Sequence, residues 1–282
     1  MCKPYFNDII YFRFYDGEFA MDVVVCVKQV PETAEAEIKI APNSKTIETA
    51  GLVYDINEWD VYALEEAVRI KEKFGGHVTV VTVGSEDVDS MLRKCLARGA
   101  DRAVRVEYPN VSRLDPFLTA KILHGAIKEM HYDIILTGVQ AGDDCYAITG
   151  PIIAEMLRIP HATMVKKIEL ESDVARVVRE LEGGWEEILE VKLPALFTVQ
   201  TGINEPRYIS IMGIRRAMQK EITVKNLAEI GLSSADINED NGWLYMDKLF
   251  IPPVERKVEF LRGSPDEVAA KLVEILRSRR II

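Results

Sequence analysis

The sequence predicts an α/β protein: a doubly wound, mostly parallel sheet with an antiparallel excursion and a C-terminal arm. Three observations carry this expectation. Short apolar runs at Val23–Val27, His77–Val83, Ala103–Val106 and Ile134–Leu136 read as buried strands. Helical stretches alternate with them, and such crossovers join parallel neighbours. After residue 160 the pattern turns to period-2 alternation with a Gly183-Gly184 turn, as in antiparallel hairpins.

Composition narrows the function classes. With 48% apolar and 28% charged residues, the 282-residue chain can bury a large core, as one domain or two. A formal charge of −10 argues against nucleic-acid binding, which needs clustered lysine and arginine. Cys2, Cys26, Cys95 and Cys145 are scattered, and the four histidines have no partner at ligand spacing, so neither a redox pair nor a metal site is expected. No apolar run has the length of a membrane span. A cytoplasmic protein with reduced thiols is the expectation.

Taken in order, residues 1–20 fit poorly with the rest of the chain. Ile9–Tyr15 reads as an extra edge strand, and Met21, just before the first buried strand, reads as the natural start, with residues 1–20 arising from an upstream start codon or from cloning. Residues 34–52 form a polar, hairpin-like excursion. Asn57 is an N-cap candidate for a helix over Asp60–Phe74, with acids early and lysines late, and Gly75-Gly76 stops it. A helix over Val88–Arg98 ends at Gly99, and another covers Pro116–Met130. The chain is organised around Tyr132–Pro151, where a strand, a glycine-containing loop and a helix with proline in its first turn succeed one another. That combination builds an anion site at the carboxyl edge of a sheet, though an ordinary turn has the same parts. Beyond it come antiparallel segments at Ala162–Leu170, Val174–Leu181 and Glu187–Val191, then a buried strand over Pro194–Val199. Arg207–Met218 reads as exposed, Leu227–Val254 as an acidic arm with few periodic apolar positions, and Ser264 caps a last helix through Arg277.

The segment Val177-Val178-Arg179-Glu180-Leu181-Glu182-Gly183-Gly184-Trp185-Glu186-Glu187-Ile188, with Leu193-Pro194-Ala195-Leu196 after it, resembles the diagnostic segment of the electron-transfer flavoprotein beta subunit family. Ala63–Lys71, Arg98–Ala103 and Asn204–Tyr208 keep the family's order, and the resemblance runs from about Met21 to the C-terminus. It implies a heterodimer with a larger alpha subunit that holds the redox-active FAD, while this chain binds AMP or, in electron-bifurcating members, a second FAD. The implied organisation is an N-terminal extension (1–20), an α/β nucleotide-binding domain (21–224) and an arm with a helix docking on the alpha subunit (225–282). Acyl-CoA or other dehydrogenases and a quinone-side oxidoreductase are the implied electron partners. The implied role is that of a carrier without catalytic residues of its own.

Carried over by position, the resemblance assigns the nucleotide site. Cys26 and Val83 are wall positions whose backbone lies beside the adenine, while their side chains read as core packing. Asn57, Glu58, Trp59 and Asp60 form the loop beside the ribose. Gly138, Val139, Gln140, Ala141, Gly142, Asp143, Asp144, Cys145, Tyr146, Ala147, Ile148 and Thr149 form the phosphate loop. This loop matches neither subtype fully: AMP-binding members carry asparagine and glutamine where Ala147 and Ile148 stand, and FAD-binding members carry glycine and an acid where Asp144 and Cys145 stand. Like charge keeps Asp143 and Asp144 off a phosphate, leaving them to orient loop N–H groups or accept a sugar hydroxyl. Trp59 is also implied to approach the flavin, or else fills the core. Glu180 would contact the flavin domain, with its neighbour Arg179 forming a surface pair as the plainer reading. Ile211 would anchor dehydrogenases, flanked by Ile209, Ile214, Arg215 and Arg216, unless that helix packs on its own domain. The rival function is a stand-alone nucleotide-binding or ATP-hydrolysing regulator of the stress-protein type, which has no need of residues 177–198 or the arm.

Overall fold

A computed structural model of the chain describes residues 14–15, 18–33, 36–253 and 258–282. Of the run 9–15, residues 9–13 lie outside the described residues. The remainder forms β1 (Phe14–Tyr15), which pairs with β2 (Glu18–Phe19) in a separate two-stranded ribbon and does not join the main sheet as an edge strand.

The main sheet starts with β3 (Val23–Cys26). β4 (Gln29–Pro31) and β5 (Tyr54–Ile56) then pair antiparallel at the base of the polar excursion, where an Ile40–Ile47 bridge makes it hairpin-like as expected. Next come α1 (Glu58–Phe74), β6 (Val78–Gly84), α2 (Asp89–Arg98), β7 (Arg102–Glu107), α3 (Pro116–Ile127), β8 (Ile134–Gly138) and α4 (Thr149–Leu157). The antiparallel excursion is β9 (His161–Glu171), β10 (Val174–Glu180) and β11 (Glu186–Lys192), after which β12 (Ala195–Val199), α5 (Ile211–Gln219) and β13 (Ile222–Lys225) complete the layers. The last helix is α6 (Pro265–Ser278).

Among the described residues, nine strands of the main sheet lie in the order β11-β10-β9-β12-β8-β3-β6-β7-β13. The pairings from β9 through β12, β8, β3, β6 and β7 to β13 are all parallel, and β10 and β11 extend the sheet antiparallel. This is the predicted fold class. Because β3 lies between β8 and β6, the chain winds outward in both directions from it, and the carboxyl ends of β3 and β8 flank the switch point. Period-2 alternation splits β3: Val23 and Val25 enter the core with α1, α2 and Phe197, while Val24 and Cys26 enter the core with α3, α4 and Leu196. Helix ends obey local chemistry. Gly75 and Gly76, at φ 75° and 89°, end α1, and a Cβ on Gly76 would lie 2.1 Å from the Met21 carbonyl oxygen.

The C-terminal region corrects one expectation. Leu227–Val254 lacks apolar periodicity, yet Ile230 and Ile237 are buried in the core beside α3. Asp115 caps α3 by accepting the Leu118 N–H (2.7 Å) and, through its other oxygen, accepts the N–H groups of Trp243 (2.6 Å) and Leu244 (2.9 Å). The Trp243 ring stacks on Phe117 with centroids 4.1 Å apart. The chain divides into compact units at Met1–Asp247 and Lys248–Ile282; in the first, β13 pairs with β7 and these anchors hold Trp243 and Leu244 to the start of α3. In the second unit α6 carries a full capping box between Ser264 and Glu267 and has no buried residue.

Phe197 is fully buried at the centre of the sheet, so Phe197→Ala should cost about 3–5 kcal/mol in urea denaturation. Tyr208→Ala, at a 99% exposed position, should stay within about 0.5 kcal/mol. Equal effects of the two would contradict this core.

Candidate functional site

The site is built where β3 and β8 part. Their pairing runs to Val25 and Leu136, after which the chain leaves toward α1 on one face and α4 on the other. Two backbone N–H groups, those of Lys28 and Gly138, lie at the split. Asp60, in the first turn of α1, accepts both: Lys28 N–H at 2.7 Å and Gly138 N–H at 2.9 Å. Its carboxyl is buried, and burial pushes its pKa up to about 7 against the lowering effect of those donors. Gly138 has no room for a side chain, since a Cβ would lie 2.4 Å from the Asp60 Oδ1.

Asn57 takes the N-cap position of α1 but makes no capping bond with its side chain. It reaches across instead: Nδ2 donates to the Gln140 carbonyl (2.8 Å) and Oδ1 accepts the Gly142 N–H (3.0 Å). Its own N–H donates to the Lys28 carbonyl at 2.9 Å, so one buried residue fixes both sides of the crevice. Trp59 is half-buried; its Nε1–H donates to Gln200 Oε1 at 3.0 Å, and a Cβ on Gly142 would come 3.7 Å from its ring. The tryptophan therefore forms a wall of the loop rather than filling the core.

Beyond Gly142 the loop stands in solvent, from Asp143 through Ile148, with Cys145 and Ala147 at φ 54° and 56°. No side chain caps α4, and Pro151 supplies no N–H, so the N–H groups of Thr149 and Gly150 precede the first intrahelical bond, Ile152 to Ile148. Gly150 presses on the sheet, where a Cβ would lie 2.7 Å from the Thr198 methyl. An uncapped helix start beside a hydroxyl suits a phosphate, and these residues fit an adenine nucleotide's anionic end. Among the described residues no cluster of histidine, cysteine or carboxylate side chains could hold a metal, and no helix is long and apolar enough to cross a membrane.

A cavity of about 270 Å³ opens at the opposite, amino edge of the sheet, lined by Asp22, His77, Arg102, His131 and Lys225 among others. Its lining mixes the cations Arg102 and Lys225 with the carboxylate of Asp22, whereas the carboxyl edge offers the uncapped start of α4.

With this geometry in hand, comparison decides the family. The electron transfer flavoprotein domain model matches residues 44–230. The chain belongs to the electron transfer flavoprotein beta subunit family. It is 39% identical to electron transfer flavoprotein subunit beta of Methylophilus methylotrophus, across 91% of this chain and 98% of that protein. The same subunit from Thermoanaerobacterium thermosaccharolyticum is 40% identical, across 93% of this chain and 100% of that protein. The caffeyl-CoA reductase-Etf complex subunit CarD of Acetobacterium woodii is 37% identical, across 93% of this chain and 100% of that protein. The first two relatives are electron transfer flavoprotein subunits by name, which points to a carrier rather than an enzyme.

Of the residues expected at the electron transfer flavoprotein nucleotide site, Asn57, Trp59, Asp60 and the loop Gly138–Thr149 come together at the switch point. Cys26 and Val83 lie on adjacent strands, and their side chains pack into the core beside α3; burial pushes the Cys26 thiol up to about 12. Glu58 points into solvent. Glu180 ends β10 opposite Glu186, while Arg179 bonds the Thr163 hydroxyl at 2.9 Å. Three residues at this edge went unread in the sequence: Lys28, Gln200 and Thr82, whose hydroxyl donates to the Val27 carbonyl at 2.7 Å. Only Lys28 gave a usable signal, as a lysine directly after a buried strand.

Asp60 makes the site's stability depend on pH. Its carboxyl holds a proton to higher pH in the folded state (about 7) than its ordinary value of 3.8. Its contribution is therefore complete below about pH 4 and lost as pH rises through about 7, by up to roughly 4 kcal/mol. Asp60→Asn removes this dependence, so the stability gap between wild type and variant should shrink as urea denaturation is repeated from about pH 4 to about pH 7. A gap independent of pH would show that Asp60 does not titrate in this window.

Proposed function

We propose that this beta subunit holds an adenine nucleotide, AMP or in a bifurcating complex a second FAD, and docks partner dehydrogenases. Electrons then pass through the FAD held mainly by the alpha subunit of the heterodimer. The observation that supports the nucleotide reading best is the crevice at the switch point, where β3 and β8 part and the loop after β8 leads into the uncapped start of α4 at Thr149 and Gly150. In it the adenine would lie along the backbone of Cys26 and Val83 and the phosphate at Thr149 and Gly150. The flavin supplies the redox chemistry, and this chain's residues bind and orient.

Docking is assigned to α5. Ser210 caps it at 3.0 Å from the Gly213 N–H, and only Ala217 is buried. Ile211, Met212, Ile214 and Met218 are exposed, Ile211 at 79%, with Arg215 and Arg216 beside them, while Ile209 is half-buried. A small apolar plug in a basic rim suits a short-lived encounter with acyl-CoA or other dehydrogenases, and with a quinone-side oxidoreductase. Phe250, Ile251, Val258 and Phe260, exposed in the second unit, give that unit an apolar surface for the alpha subunit. Glu180 would meet the flavin domain, and the complex would work in the cytoplasm.

Mass spectrometry of the nucleotide released from the co-purified heterodimer tests the first part. One AMP or FAD per complex beyond the alpha-subunit flavin is expected, and Thr149→Val should weaken its retention by about 5- to 30-fold, for a lost bond of roughly 1–2 kcal/mol. A complex free of that nucleotide would contradict the reading. For docking, Ile211→Ala should weaken the encounter about 5- to 150-fold, from roughly 1–3 kcal/mol, without changing the flavin spectrum. Stopped-flow reduction by a partner dehydrogenase across its concentrations reads this, and an unchanged concentration dependence would move docking elsewhere.

A further inference from the structure

Among the described residues, one side chain joins the exposed middle of the nucleotide loop to the body of the protein by hydrogen bonds. At its start the loop is held by Asn57 and by the Val139 N–H on the Val199 carbonyl (3.0 Å), and at its end by Gly150 against the sheet. Between these anchors Lys28, two residues past the end of β3, reaches over the crevice. Its Nζ lies 2.6 Å from Asp143 Oδ1 and 2.8 Å from Asp144 Oδ2. The other oxygen of Asp144 accepts the Tyr146 N–H at 3.2 Å, which extends the hold past Cys145. Cys145 and Ala147 keep left-handed backbone angles that non-glycine residues adopt at a cost, so this loop conformation needs something to hold it. The backbone N–H of the same lysine is fixed by Asp60 at 2.7 Å, so the side chain is anchored at its root while its tip holds the loop. Burial alone would lower the ammonium's pKa, but Asp143 and Asp144 more than offset this and raise it above the ordinary value.

We propose that Lys28 with Asp143 and Asp144 is a gate over the nucleotide site, shut by the two ion pairs and opened by parting them, which sets how fast an adenine nucleotide enters and leaves. The inference rests on the nucleotide reading of this crevice. It explains why two carboxylates stand in a phosphate loop: their partner is a lysine of the protein. At about a third to two-fifths exposure the ion pairs are within reach of salt, so the gate responds to ionic strength.

The test monitors release of a fluorescent etheno analogue of AMP from the co-purified heterodimer by stopped flow, chased with unlabelled AMP at several salt concentrations. Release from wild type should quicken with salt. Lys28→Met should release about fivefold faster or more and lose the salt dependence. Lys28→Arg should restore it. The double variant Asp143→Asn with Asp144→Asn should also release faster, and combining it with Lys28→Met should add little, since both changes remove one interaction. If Lys28 instead held the phosphate directly, the double asparagine variant would release more slowly, because two repelling charges are gone; that result overturns the gate. Unchanged release in Lys28→Met overturns it as well. Absence of any analogue binding would count against the nucleotide reading itself and is separate from these outcomes.

Discussion

The carboxylate of Asp60 is the contact on which the site depends. A parallel sheet satisfies its backbone only while neighbouring strands run together, and at the switch point β3 and β8 separate toward opposite faces. Two N–H groups are left there in a buried setting, and an unpaired buried donor costs about 1–3 kcal/mol. One carboxylate on the first turn of α1 accepts both and thereby sets the width of the opening. The arrangement exacts other features: no side chain at Gly138, a carboxyl whose ionisation is displaced by burial, and an Asn57 side chain turned away from capping its own helix.

Around that opening the two faces of the sheet take different tasks. The carboxyl edge gathers backbone donors and a solvent-exposed loop. α5 rests on α2 through Gly213, where a Cβ would lie 2.5 Å from the Ala97 carbonyl oxygen, and through Arg93, which donates to the Ala217 carbonyl at 2.7 Å. The segment leading to it is held by Arg207, which bonds Glu65 and Glu72 on α1. Backbone and polar contacts thus support α5 from below, so its apolar side chains are not needed for packing and remain on the surface.

Much of the architecture was legible because it is local. Apolar runs of β3, β6, β7 and β8 and the glycine stops after α1 and α2 are written in consecutive residues. What escaped is non-local. β13 is four residues that alternate weakly and gain their identity by pairing with β7. Ile230 and Ile237 are isolated apolar residues with no period, yet each finds the core beside α3. In the site, Asp60 reads as an acid complementing a helix dipole and Asn57 as a cap, since sequence gives the helix they begin but not the strand ends they meet. Lys28 escaped for the same reason: its two carboxylate partners lie more than a hundred residues away.

Occupation of the crevice between the ends of β3 and β8 by the nucleotide is tested most directly by hydrogen–deuterium exchange on the heterodimer, stripped of the nucleotide and then reloaded with AMP. Reloading should slow exchange in residues 57–60, 138–142 and 149–153 and leave the amino edge of the sheet unchanged. Slowed exchange confined to peptides containing His77, Arg102, His131 and Lys225, around the cavity at the other edge, would contradict it.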